Sequence, residues 1–191
     1  MRIGVFGGTF DPPHVGHLIV ASDACDALEL DRMIFVPAAD PPHKRGRVTA
    51  PPETRLRMVR AAIAGDPRFE VDDLELRREG ASYTVDTLRE LTRRHPEAEL
   101  YFLLGADQVQ QLDSWREPEE VARLACLAVM HRGGEPPVVE ARLRHRVVPV
   151  TRVDLSATDI RARLREGRSV RYLVPEAVRE VVEGEYGRMR R

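Results

Sequence analysis

Residues Gly7 to His17 read GGTFDPPHVGH and set two imidazoles, His14 and His17, three positions apart in a stretch poor at packing. It follows the apolar run Ile3 to Phe6, so it stands where a buried strand ends. Glycines there let backbone N–H groups approach an anion, and a helix starting at that point favours negative charge. The i, i+3 spacing projects both rings to similar sides of a first helical turn. Imidazole N–H groups donate to phosphate oxygens, and more strongly as charge grows in a transition state. Neither G-x-x-x-x-G-K-S/T nor G-x-G-x-x-G is present, so this is neither the usual phosphate loop nor a dinucleotide fingerprint. It reads as another phosphate site, built with imidazoles. Zinc held by Asp11, His14 and His17 is the competing chemistry. No further Cys/His cluster completes such a site, and helical zinc pairs usually use i, i+4.

Two other clusters carry polar groups. LSATDIR, Leu155 to Arg161, offers Ser156 as an N-cap, with Thr158 in the first turn and Arg161 beyond it. Alone it reads as an ordinary cap; the functional alternative is a helix N-terminus presenting hydroxyls and a guanidinium to phosphates. PPHK, Pro41 to Lys44, places His43 beside the only lysine of an arginine-rich chain. Alone it reads as a solvated loop, and as a cationic arm if an anion site lies nearby.

The elements that must position these groups alternate. Apolar runs predict strands at Ile3–Phe6, Met33–Val36, Phe69–Val71, Leu100–Leu104, Cys126–Met130 and Arg146–Val150, with Leu74–Leu76 extending or following the third. Helical spacing predicts helices over 15–28, 53–64, 82–94 (capped by Ser82), 156–165 and 175–183, with turns at 107–112 and 119–124. Strands apolar on both faces and alternating with helices imply an α/β, Rossmann-like, doubly wound parallel sheet. Helices cover both faces, and a C-terminal helical segment spans about 156–185. Ligands in such sheets bind beyond the carboxyl ends of the strands.

At 191 residues, a single domain over 1–191 is expected, large enough to bury about 70 % of its unfolded surface without disulfide or metal. A net charge of −1 gives no broad basic field, so bulk nucleic-acid binding is not expected. Cys25 and Cys126 lack CxxC spacing and read as reduced, buried small hydrophobes. With no leader pattern and no apolar run long enough to span a bilayer, the expected location is the cytoplasm. A homo-oligomer stays possible.

GGTFDPPHVGH resembles the GG-x-F-D-P-x-H-x-GH signature of the nucleotidyltransferase superfamily. Downstream, PPHK, SYTVDTL, FLLGADQ, Trp115, LSATDIRARLREG and YLVPEAV are similar, in the same order, to the bacterial nicotinate-mononucleotide adenylyltransferase family. The resemblance covers residues 3 to about 182. It implies transfer of the adenylyl group of ATP to nicotinate mononucleotide, with Mg²⁺ accompanying ATP and no protein metal ligands. By the same resemblance, His17, His14, Lys44 and Arg161 serve the reacting phosphates. Gly8, Thr9, Phe10, Gly105, Asp107, Ser156, Thr158 and Arg161 line the ATP side with the two histidines. His43, Lys44, Thr84, Trp115, Arg116 and Arg132 line the acceptor side. Arg116 departs from the aromatic many relatives carry there. Sister activities on nicotinamide mononucleotide or phosphopantetheine, and a non-catalytic nucleotide sensor, are the alternatives.

Overall fold

A computed structural model describes residues 1–39, 50–78 and 80–187. Its centre is a sheet of six parallel strands: β1 (Arg2–Gly8), β2 (Arg32–Pro37), β3 (Phe69–Val71), β4 (Glu99–Gly105), β5 (Cys126–His131) and β6 (His145–Pro149), in the order β3-β2-β1-β4-β5-β6. The helices are α1 (Val15–Leu28), α2 (Pro52–Ile63), α3 (Thr84–Arg94), α4 (Ala106–Val109), α5 (Pro118–Leu124), α6 (Ala157–Arg165) and α7 (Glu176–Gly187), with a 3-10 turn at Leu112–Ser114. The chain builds outward from β1 to β3, then returns to lay β4 on the other side of β1. That reversal opens a crevice beyond the carboxyl ends of β1 and β4, where doubly wound sheets bind ligands.

Parallel pairing buries the central strands on both faces, which explains why Ile3–Phe6, Leu100–Leu104 and Cys126–Val129 read as continuous apolar runs. One face packs Ile3, Val5, Phe102 and Leu127 under α3 and α5; the other packs Phe6, Phe35, Tyr101 and Ala128 under α1. A third apolar cluster, around Met58, Ile160, Val178 and Val182, docks α6 and α7 on α2. This brings the start of α6 to the same end of the sheet as the turn after β1.

Four expectations change. Leu74–Leu76 forms a turn rather than strand, closed by the Leu76 and Arg77 N–H groups on the Asp73 carbonyl. Ser82 does not cap α3; the helix starts at Thr84, Tyr83 occupies the cap position, and the Ser82 hydroxyl accepts the Ala39 N–H at 3.1 Å. Edge strand β6 is largely exposed, because no neighbour covers its outer side. The last helix also runs four residues past Glu183, because burying Tyr186 prolongs its apolar stripe Val178, Val182, Tyr186.

Candidate active site

The turn after β1 is built around Phe10. Its ring is buried, and its backbone adopts φ 49°, a left-handed conformation unusual for a side chain of that size. Gly8 makes room for that ring: a Cβ at position 8 would lie 2.7 Å from Phe10 Cζ. The Asp11–Pro12 peptide is cis, and α1 begins three residues later.

His14 occupies the cap position of α1, and its main-chain N–H donates to His17 Nδ1 at 3.1 Å. The accepting Nδ1 leaves the proton of a neutral His17 on Nε2, the atom able to donate to a phosphate oxygen. Three rings fix the His17 side chain. His14 stacks on it with centroids 3.7 Å apart, Phe10 meets it edge-on at 5.0 Å, and Phe6 lies at 6.0 Å. Gly16 lets the His14 ring lie close, since a Cβ there would come within 3.0 Å of His14 Nδ1.

His14 is buried, and among the described residues its Nδ1 meets no hydrogen-bond partner. Burial and the nearby Arg132 cation push its pKa down to about 4, against the pull of the Asp159 carboxylate. The ring is therefore neutral at physiological pH. As pH falls from 6.5 toward about 4, the unfolded chain takes up a proton that the native site refuses, so stability declines. A displacement of this size limits the loss to about 3 kcal/mol. Imidazole resonances of the free protein should show a His14 midpoint near 4, moving upward when a polyphosphate fills the site. A free-protein midpoint between 6 and 7 would contradict the buried setting.

The second cluster closes on the first. Arg161 Nη1 donates to the main-chain carbonyl of Asp11 at 2.6 Å, and Nη2 reaches Thr158 Oγ1 at 3.2 Å. Among the described residues the buried Arg161 Nε meets no hydrogen-bond partner, which leaves this guanidinium a donor for an anion. The Ser156 hydroxyl is committed to its own helix, accepting the Asp159 N–H and donating to the Asp159 carboxylate at 2.5 Å. What Ser156 supplies is thus the start of α6, with its unpaired first N–H groups.

Gly105 ends β4, and its N–H is held by the Gln108 side chain at 2.9 Å; Asp107 follows, exposed in α4. Of the acceptor-side residues, Arg132 lies near His14, while Thr84, Trp115 and Arg116 form a separate group. Trp115 packs edge-on against Phe102 of β4 at 6.0 Å. Arg116 lies over the Tyr83 ring at 4.9 Å and 3.8 Å from Asp86, which ties the turn after Trp115 to the start of α3 at Thr84. His43 and Lys44 lie outside the described residues.

Sequence reading missed the polar groups behind the turn. The Asp11 carboxylate accepts from Tyr186 Oη at 2.7 Å and from the Ala50 N–H at 3.0 Å, and lies 3.6 Å from Arg161. Arg55 is wholly buried beside it. One signal was available: Arg55 heads the stripe 55, 58, 59, 62, which is otherwise apolar.

Backbone N–H groups at a glycine turn and a helix start suit an anion, and the family model described as cytidylyltransferase-like matches residues 5–163. A Thermus thermophilus chain named "Probable nicotinate-nucleotide adenylyltransferase" is 52 % identical over 185 residues, spanning 96 % of this chain and 97 % of that relative. One of the same name from Rubrobacter xylanophilus is 48 % identical, spanning 95 % and 89 %. Among solved structures, Plasmodium falciparum nicotinic acid mononucleotide adenylyltransferase complexed with NaAD has the same fold, with a TM-score of 0.78 at 17 % identity over 98 % of this chain and 95 % of that one. The chain belongs to the nicotinate-nucleotide adenylyltransferase family, within the cytidylyltransferase-like class.

Proposed function

We propose that this chain, working as a single nucleotidyltransferase domain over 1–191, transfers the adenylyl group of ATP to nicotinate mononucleotide. The products are deamido-NAD and pyrophosphate, a step of NAD synthesis in the cytoplasm. The observation that carries the reading is the His14–His17 pair, one ring neutral and the other held by three neighbours, opposite an arginine with a free buried donor.

An oxygen of the mononucleotide phosphate attacks the α-phosphorus in line, and the bond from that phosphorus to the bridging oxygen of pyrophosphate breaks. The attacking phosphate is already anionic at neutral pH, because its second pKa is about 6, so no general base is needed. The work left to the protein is positioning and charge stabilisation. His17 donates from Nε2 to the α-phosphate, and His14 approaches the phosphates from the same turn. The N–H groups near Gly8, Thr9 and Phe10 and the start of α6, with Thr158 and Arg161, face the remaining phosphates. Gly105 and Asp107 border the nucleoside, and Arg132 serves the acceptor phosphate. His43 and Lys44 are assigned to the acceptor side by their motif alone.

Among the described residues no group of three or more His, Cys, Asp or Glu could hold a metal ion. Mg²⁺ is assigned to the substrate, on the triphosphate, because this ion commonly relies on phosphates and water rather than on a protein cage.

The carboxylate of the acceptor base has a place to go. Helix α3 starts without a side-chain cap, so the N–H groups of its first turn, at Thr84 and Val85, take no intrahelical partner. Arg116, engaged with Tyr83 and Asp86, offsets the one acidic group of that turn, and Trp115 gives an apolar wall. An amide would gain less from this site than an acid.

Incubating the protein with Mg²⁺–ATP and each mononucleotide separately, then resolving the dinucleotides, tests the reading. The acid is expected to give the higher kcat/KM. Preference for the amide would overturn the acceptor assignment.

A further inference from the structure

Arg55 heads the largest fully buried side chains of the described residues, 0 % exposed despite its charge. Three of its donors each meet a main-chain carbonyl. Nη1 reaches Thr9 at 2.7 Å, Nε reaches Ala50 at 3.2 Å and Nη2 reaches Ala39 at 3.2 Å. Those carbonyls belong to three segments: the turn after β1, the exit from β2 and the approach to α2.

Each segment leads on to a substrate group. The Ala39 N–H donates to Ser82 Oγ, two residues before Thr84. The Ala50 N–H donates to the Asp11 carboxylate, and the Asp11 main-chain carbonyl holds Arg161. One chain of hydrogen bonds therefore runs from the start of α3 through Ser82, Ala39, Arg55, Ala50 and Asp11 to Arg161. Burial opposes the Arg55 charge, with Asp11 and Glu75 among the groups that offset it. An apolar side chain of similar volume would avoid that desolvation. What it could not supply is a planar fork with donors in fixed directions.

We infer that Arg55 is a positioning residue for adenylyl transfer, setting the phosphate turn at a fixed distance from the acceptor-side start of α3. The inference rests on the donor and acceptor assignments made above. Arg55 acts through main chain alone and touches neither substrate. In-line transfer needs the reacting atoms about 3–3.5 Å apart, and a misplacement near 1 Å costs about 10²-fold.

Arg55→Lys keeps the charge, but a single ammonium cannot serve three carbonyls arranged around a plane. Wild type, Arg55→Lys, Ser82→Ala and the double variant would be compared by circular dichroism, ATP titration, kcat and both KM values. Folded Arg55→Lys is expected to bind ATP within about threefold of wild type while kcat falls about 10²-fold, a split that loss of stability alone would not produce. Ser82→Ala leaves the guanidinium in place and should lower kcat by a smaller factor. In the double variant the factors should fall short of multiplying, because both act through Ala39. Folded Arg55→Lys with kcat within threefold of wild type would overturn the inference. Should Arg55→Lys not fold, Ser82→Ala with unchanged kcat and KM values overturns it instead. Wild-type protein that forms no dinucleotide overturns the underlying functional reading, whereas wild-type turnover with an undiminished Arg55→Lys rate overturns only the role of Arg55.

Discussion

Alanine at His17 is expected to lower kcat by about 10²–10³-fold, the range for removing one preorganised donor from a developing oxyanion. The geometry supports so large an effect. The ring is held by Phe10, Phe6 and His14, and its Nδ1 is occupied by the His14 N–H, so no reorientation is needed during the reaction. Water admitted into the space would bring a donor without that fixed direction. The fold should survive, because His17 is only half-buried and the hydrogen bond it accepts from the His14 N–H, near a helix start, is worth about 1 kcal/mol. Part of the loss can appear in the KM for ATP, so both constants must be measured on protein shown to be folded. Turnover within tenfold of wild type would remove His17 from the proposed mechanism.

Asp11→Ala should be the most destabilising change near the site, by about 3–5 kcal/mol, as for deletion of one partner in a buried ionic group. The carboxylate is 4 % exposed and serves Tyr186, the Ala50 N–H and Arg161 together. Without it, a buried hydroxyl and a buried N–H lose their acceptor, and the buried Arg55 loses a nearby countercharge. Urea denaturation would register this as a lower midpoint with an unchanged slope. A loss below 1 kcal/mol would show that water or a rearranged neighbour replaces the carboxylate. Because the Asp11 carboxylate also lies 3.6 Å from the Arg161 guanidinium, the variant should bind ATP more weakly at temperatures where it remains folded.

Most of the sheet was legible from the chain. Strand ends marked by Gly7-Gly8 and Gly105 fall where the apolar runs stop, and α1 occupies the expected span from Val15 to Leu28. These signals are local, since helix period, strand alternation and cap chemistry each act within about four residues. Ser82 shows where local reasoning stops. As a cap it obeys every nearby preference, yet its hydroxyl bonds Ala39, 43 residues away. The same limit applies to LSATDIR, which alone reads as a cap and is one; its link to the phosphate turn depends on Arg161 reaching Asp11 across 150 residues.

The chemistry of the site was thus written in short motifs: two imidazoles at the end of the first strand, a capped helix carrying an arginine, and a tryptophan turn beyond the fourth strand. The residue types at the end of the first strand pointed to a phosphate site, and the resemblance of the ordered motifs to a known family pointed to adenylyl transfer. Which groups support them emerged only once the elements packed. Docking of α7 on α2 delivers Tyr186 to Asp11, and burial turns Arg55 from a charge on a helix into a three-way brace. Burial also makes His14 neutral, by stripping its water beside Arg132. A side chain's type is local, but its partners and its charge state depend on which surfaces meet and how much water they exclude.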